Sequence, residues 1–162
     1  MNKSRTFLLF CLLFLSLNSG KLYAQFVAVV NSENPINSLS MIQLRSIYLG
    51  EITTWEFDRK RSENIILVDY RQKTKSTEQF YKIVTGLSQS RIRLEWLGKI
   101  LNGEFQILPV KLSSETDILK YISKNVGAIG FVDAESLKAN IYSIKVIKID
   151  GKSFKGKDYP LK

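Results

Sequence analysis

The stretch NIILVDYRQKTKSTEQFYKIVTG, residues 64–86, combines two patterns of secondary structure. It opens with an apolar, β-branched run at 65–68, which is typical of a strand buried on both faces of a sheet. The segment KSTEQFYKIVTG then has hydroxyl residues at its start and Gly86 at its end, a pattern that predicts a capped helix with a glycine stop. A buried strand followed directly by a helix is the building unit of an α/β domain.

The rest of the chain repeats this alternation. Buried or edge strands are predicted at 26–30, 127–132 and 142–149, and the segment FQILPVKL reads as a short strand or extended loop. Further helices are predicted at 41–49, from Ser88 or Ser90 to Leu101, and from Ser114 or Thr116 through 122. Because helices separate the strands, we predict an α/β fold with a mainly parallel sheet flanked by helices in a single domain.

Two helices and one loop carry more specific expectations about packing. Ser40 should cap the helix 41–49, Gly50 should end it, and Trp55 should pin the connection that returns the chain to the sheet. The helix ending at Leu101 should bury a wide apolar stripe consisting of Ile92, Leu94, Trp96, Leu97, Ile100 and Leu101.

The first 24 residues have the three-part layout of a secretory signal. Lys3 and Arg5 precede an apolar run at 7–17, and polar residues then lead to the small residue Ala24. We predict cleavage after Ala24, which leaves a domain at 25–162 in the periplasm or outside the cell. An uncleaved membrane anchor is the alternative, although the apolar run is shorter than the roughly 20 residues that span a bilayer.

The composition limits the chemistry. The chain contains no histidine, and its only cysteine lies inside the apolar run of the signal, so the usual general base, the thiol nucleophile and the common nitrogen and sulfur metal ligands are missing from the predicted domain. We therefore predict a protein that is not an enzyme and has neither a metal site nor a cofactor. The net charge of +9 favours small anionic ligands. Export and the lack of a basic motif interleaved with aromatics argue against nucleic acid.

The same strand and helix at 64–86 suggest where an anion would bind. The strand delivers Asp69 and Arg71 to its carboxyl end, and Thr74, Ser76 and Thr77 follow at the helix start. Free N–H groups at a helix start, hydroxyls and a guanidinium are the groups that hold oxyanions. The alternative is that the hydroxyls only cap the helix and that Arg71 is a surface charge.

Four segments, in order, resemble the phosphate-binding proteins of ABC transporters. NSLSMIQLRSIYLGEITTW (37–55) is similar to their helix with a glycine and a downstream tryptophan, and VDYR followed by Phe80 is similar to their strand leading into the anion-binding helix. EWLGKILNG (95–103) and GAIGFV (127–132) resemble a tryptophan-bearing helix and a Gly-Ala-Ile-Gly-Tyr-Val signature.

This resemblance implies a type II periplasmic-binding-protein fold and recognition of a small solute, with phosphate the first ligand to consider. Relatives use an arginine followed by Ser-Gly-Thr at the helix start. Arg71 matches the arginine and Thr77 the threonine, while Lys75 and Ser76 stand in place of the Ser-Gly pair. Hydroxyls of the adjacent loops complete the set of candidate ligand-binding residues, which consists of Arg71, Lys75, Ser76, Thr77, Ser38 and Ser40.

Two functions remain open from the sequence. The first is an exported solute-binding-like protein that recognises phosphate or a similar oxyanion. The second is an interaction module of the same fold that has lost its ligand and docks on a membrane transporter or an envelope sensor. The altered Ser-Gly-Thr pattern favours the second hypothesis, because glycine lets a backbone approach an anion closely.

Overall fold

The computed structural model describes residues 26–58, 61–104, 108–139 and 142–162. The predicted signal lies outside the described residues. In chain order the elements are β1 (Phe26–Asn31), β2 (Ser38–Leu39), α1 (Met41–Tyr48), β3 (Thr54–Asp58), β4 (Arg61–Asn64), β5 (Ile66–Tyr70), α2 (Lys75–Thr85), α3 (Gln89–Leu101), β6 (Val110–Leu112), α4 (Glu115–Ile122), β7 (Ala128–Asp133), a 3-10 helix (Ala134–Ala139), β8 (Ile144–Val146) and β9 (Lys148–Ile149).

A five-stranded sheet in the order β6-β5-β7-β1-β8 forms the centre of the fold. β5 is parallel to both β6 and β7, with Val68 opposite Val110 and Ile66 opposite Ala128. β1 runs antiparallel to β7 and to β8, so it is the one strand of this sheet with the opposite direction. The carboxyl ends of β5, β6 and β7 therefore meet at one edge of the sheet.

Helices cover both faces of the sheet, which confirms the predicted α/β class. Phe131 in β7 stacks on Phe80 of α2, whereas its neighbour Gly130 faces Ile122 and Ile118 of α4. Because successive residues of a strand point to opposite faces, α2 and α4 must lie on opposite sides. The α2 face also includes the buried aromatic rings of Tyr48 in α1, Tyr81 in α2 and Trp96 in α3.

A hairpin of β3 and β4 connects α1 to the sheet, where the sequence suggested a loop. Trp55 in β3 is buried, and its Nε1–H donates to the carbonyl oxygen of Gly127 at 2.9 Å, which confirms its predicted role as a packing anchor. A Cβ at Gly127 would lie 2.2 Å from the carbonyl oxygen of Asn64, so only glycine permits this close approach. The hairpin is thereby fixed to the start of β7.

The structure shows which residues begin the two helices whose starts the sequence left undecided, and it corrects one expectation about packing. Ser88 caps α3 and Ser114 caps α4. Ile92 and Trp96 are buried as predicted, but the expected wide stripe on α3 is wrong, because Leu94, Leu97 and Leu101 are exposed. Within the described residues, none of the helices has the length and apolar character needed to cross a membrane.

Candidate functional site

A buried acid organises the sheet edge at which β5 and β6 end. Asp69 is fully buried and forms an ion pair with Lys111, its partner in the parallel register of β5 and β6. The Asp69 carboxylate also accepts the backbone N–H of Tyr70 at 2.8 Å, and Gln89 Nε2 lies 3.5 Å from it. These contacts compensate the buried charge and fix the Lys111 ammonium at the edge of the sheet.

The start of α2 is a reciprocal cap built from two threonines. Thr74 is the N-cap and accepts the N–H of Thr77, while Thr77 Oγ1 accepts the N–H of Thr74 at 2.8 Å. The N–H groups of Lys75 and Ser76 precede the first intrahelical bond, and they donate to no other group in the part of the chain that the structure describes. Two backbone donors are therefore open at an exposed helix start.

Of the four ligand-binding residues predicted in this segment, three are exposed and one is buried. Arg71 is exposed, directly follows β5, and its Nη2 donates to the carbonyl oxygen of Lys111 at 3.4 Å. Lys75 and Ser76 are exposed in the first turn of α2. Thr77 is 2% exposed, and its hydroxyl donates to the carbonyl oxygen of Thr74 at 3.0 Å. Thr77 therefore stabilises the helix start from the buried side, and a ligand at the surface does not contact its hydroxyl.

Ser38 and Ser40 lie at the other flank of the sheet. Ser38 is in β2, which pairs with β9 in a separate two-stranded sheet, and Ser40 caps α1 by accepting the N–H of Gln43. β9 continues from β8, and β8 is three strands away from β5. Three strand spacings correspond to about 14 Å, which is too far for one small anion to contact both Arg71 and these serines.

Three further cations near the sheet edge were not predicted from the sequence. Lys73 Nζ lies 3.4 Å from Glu78 Oε2, Lys111 pairs with Asp69, and Arg93 Nη2 donates to the carbonyl oxygen of Arg71 at 3.3 Å. A lysine or arginine on a neighbouring element has no local signal that links it to a site. Lys73 lies in the same segment as Arg71, whereas only the pairing of β6 with β5 and the packing of α3 bring Lys111 and Arg93 to this edge.

Two acids at this edge are held in ion pairs and a third by neutral donors, which leaves Arg71 and Arg93 without a carboxylate partner among the described residues. Asp69 pairs with Lys111, and Glu78 with Lys73. Glu115 Oε1 accepts the hydroxyl of Tyr70 at 3.0 Å and the N–H of Asp133 at 3.1 Å. Cations that lack an acidic partner and free N–H groups are suited to binding an anion.

Burial shifts the pKa values of several groups in this region. Burial lowers the pKa of Lys111, and Asp69 opposes that shift while the positive charge of Arg93 adds to it. Burial raises the pKa values of Tyr70 and Tyr81, and the charges of Glu115 and Asp69 respectively raise them further.

Comparison with known proteins identifies the family. A family model described as a PBP superfamily domain matches residues 22–161, nearly the whole chain. The chain belongs to the PBP superfamily. None of the curated proteins with which the chain was compared matches it. The resemblance noted in the sequence is thereby confirmed at the level of the family.

Solved structures show where the PBP superfamily fold recurs. A Vibrio cholerae ABC-type phosphate transport receptor is 19% identical, with a TM-score of 0.60, and the match covers 81% of this chain and 49% of the receptor. A Clostridium perfringens protein, assigned as a phosphate ABC transporter substrate-binding protein and solved with bound phosphate, is 20% identical, with a TM-score of 0.60 and coverages of 80% and 46%. PstS from Borrelia burgdorferi is 13% identical, with a TM-score of 0.57 and coverages of 80% and 48%.

The match to these structures is a match of folds over part of their length. This chain spans about half the length of each of the three solved proteins. At these identities the match shows that the fold is shared.

Proposed function

We propose that this chain is an exported, non-enzymatic solute-binding-like protein of the periplasm or cell exterior that recognises phosphate or a similar oxyanion. The observation that carries the proposal is the start of α2, where two open backbone N–H groups lie a few residues from the exposed Arg71. The phosphate-binding proteins that share the fold support the choice of ligand. The layout of residues 1–24 supports export.

Each proposed residue has a defined role. Arg71 supplies a guanidinium that can form charge-assisted hydrogen bonds with the anion. Lys75 and Ser76 supply their backbone N–H groups, and the Lys75 ammonium adds charge. Thr77 contributes indirectly, since its contacts with Thr74 hold the first turn in place. Ser38 and Ser40 are not required, because they lie at the other flank of the sheet.

A titration of unfolding stability with phosphate and sulfate tests this proposal. A ligand at 100 times its dissociation constant raises the free energy of unfolding by about 2.7 kcal/mol. The proposal predicts an increase of this kind that Arg71→Ala abolishes. Arg91→Ala is the matched control, since Arg91 is an exposed arginine of α3 paired with Glu95 at 2.8 Å, and it should leave the increase unchanged. Stability that does not respond to either anion would refute oxyanion binding.

A docking module is the second candidate function, and the surface of α3 favours it. Leu94 is 61% exposed and Leu101 78% exposed, and they flank Gly98, at which a Cβ would meet no atom within 4 Å. An exposed leucine stripe with an open glycine at its centre resembles a helix surface on which another protein packs. A membrane transporter or an envelope sensor is the partner we expect in that case. This candidate predicts no anion-dependent stabilisation and no effect of Arg71→Ala on it.

A further inference from the structure

A small cavity opens beside Arg71, between β6 with the two residues that precede it and the side of α3. Its volume is about 310 Å³, within the range of small-molecule sites. This cavity, which we call the β6–α3 cleft, is distinct from the groove beside α2 that Lys73, Lys75 and Lys82 line. The residues of the cleft used in the argument below are Arg71, Arg93, Lys111, Trp96, Leu97 and Leu108.

One end of the β6–α3 cleft has more positive charge than its acids compensate. Lys111 is balanced by Asp69, but Arg71 and Arg93 pair with no carboxylate among residues 26–58, 61–104, 108–139 and 142–162. Arg93 Nη2 reaches the carbonyl oxygens of Tyr70 and Arg71 at 3.5 and 3.3 Å. Its Nε is buried and has no hydrogen-bond partner in the described part of the chain. A buried donor without an acceptor and two uncompensated guanidinium groups favour an anion at this end.

The other walls of the cleft are apolar and open to water. Leu97 is 47% exposed and Leu108 53% exposed, and Pro109 lies between Leu108 and β6. The Trp96 ring forms the base, with the Lys111 ammonium 5.0 Å from its centroid. Inorganic phosphate would pair with the cations but leave the apolar walls exposed to water. A ligand with an apolar body would cover the walls as well, because burial of apolar area is favourable.

We propose that the β6–α3 cleft binds a small amphipathic anion, a carboxylate or phosphate monoester with an alkyl or aryl body. The charged group would contact Arg93, Arg71 and Lys111, and the apolar body would lie against Leu97 and Leu108. This site is separate from the proposed oxyanion site, although both use Arg71. Its preference for an apolar body is the property that distinguishes it.

Titration of the purified chain with octanoate and with phenyl phosphate, followed by tryptophan fluorescence, tests the inference. Inorganic phosphate and octanol serve as the probes that have only the charge or only the apolar body. We expect saturable binding of both amphipathic anions, at least tenfold tighter than that of octanol. We also expect that inorganic phosphate does not reproduce their change in fluorescence, because it does not cover the wall beside Trp96.

Variants locate the site. Leu97→Asn changes an exposed wall residue, so the fold is retained, and it should weaken octanoate binding at least tenfold while the stabilisation by inorganic phosphate persists. Leu101→Asn is the matched control on the same helix but outside the cleft, and it should leave octanoate binding unchanged. Arg93→Gln should weaken octanoate more than octanol. The inference is overturned if neither amphipathic anion binds saturably, if octanol binds as tightly as octanoate, or if both leucine variants weaken octanoate binding equally.

Discussion

Replacement of Asp69 by asparagine tests the claim that a buried acid organises the functional edge. Asparagine has nearly the same shape and can still accept the N–H of Tyr70, so the variant removes charge rather than volume. Lys111 would then lie beside Arg93 without the carboxylate that compensates it. The variant should therefore lower stability and loosen the end of β6.

The expected loss follows from the burial of the pair. Breaking a fully buried ion pair by removing one partner costs about 3–5 kcal/mol. The Lys111 side chain is 28% exposed, so water solvates part of the remaining charge, and we expect Asp69→Asn to cost about 2–3 kcal/mol. The control pair, Arg91 and Glu95, is exposed by 63% and 40%, and Glu95→Gln should cost less than about 1 kcal/mol.

Urea denaturation followed by tryptophan fluorescence measures both losses. The double variant Asp69→Asn/Lys111→Met should be more stable than the sum of the single changes implies, with a coupling of about 1–3 kcal/mol. Equal, small losses in Asp69→Asn and Glu95→Gln would refute the idea that burial makes the first pair important. Additive behaviour of Asp69→Asn and Lys111→Met would show that the two residues do not stabilise each other.

Three further predictions concern local features, and denaturation measures each. Gly98→Ala should raise the free energy of unfolding by about 0.5–1 kcal/mol, because alanine favours the helix and its Cβ meets no atom within 4 Å. Gly103→Ala should lower the free energy of unfolding by about 1 kcal/mol, because a φ of 73° is left-handed and strains any residue that has a Cβ. Trp55→Phe removes the donor to Gly127 and should cost about 1–3 kcal/mol; a loss below a few tenths would contradict the anchoring role. Burial raises the pKa of Tyr159 to about 12, whereas an unfolded tyrosine ionises near 10. The native state thus retains the proton longer, so Tyr159 should lower stability between pH 10 and 12, by about 1.4 kcal/mol at pH 11, and Tyr159→Phe should remove this part of the fall.

The local patterns of the sequence were sufficient to predict the α/β class and most of the helix boundaries. The continuous apolar runs became β1, β5 and β7, and Gly86 ends α2 in a left-handed conformation, as a glycine stop requires. These features depend on a few neighbouring residues, which is why they are readable from one sequence.

Strand direction and solvent exposure depended on the whole fold. The reversed direction of β1 follows from its pairing with β7 and β8, which lie about 100 residues later in the chain. The leucines of α3 have helical spacing, but the helix presents only its Ile92 and Trp96 side to the core. The chain end gives a third case, since Leu161 is buried and its carbonyl oxygen accepts the backbone N–H of Phe26, at the other end of the described chain.

The candidate site was partly predictable for the same reason. Arg71 and the start of α2 come from one continuous segment, so the sequence indicated them together. The hydroxyl roles were harder to assign, because Thr74 and Thr77 satisfy each other and only the three-dimensional cap reveals it. Arg93 and Lys111 come from other elements, and pairing and packing alone bring them to the edge.

Phosphate titration of the isotopically labelled chain, followed by the NMR shifts of backbone amides, tests the central proposal most directly. The account predicts saturable shifts concentrated at the amides of Lys75 and Ser76, which are lost in Arg71→Ala and retained in Arg91→Ala. Shifts that do not saturate, that spread over exposed lysines, or that persist unchanged in Arg71→Ala would contradict it.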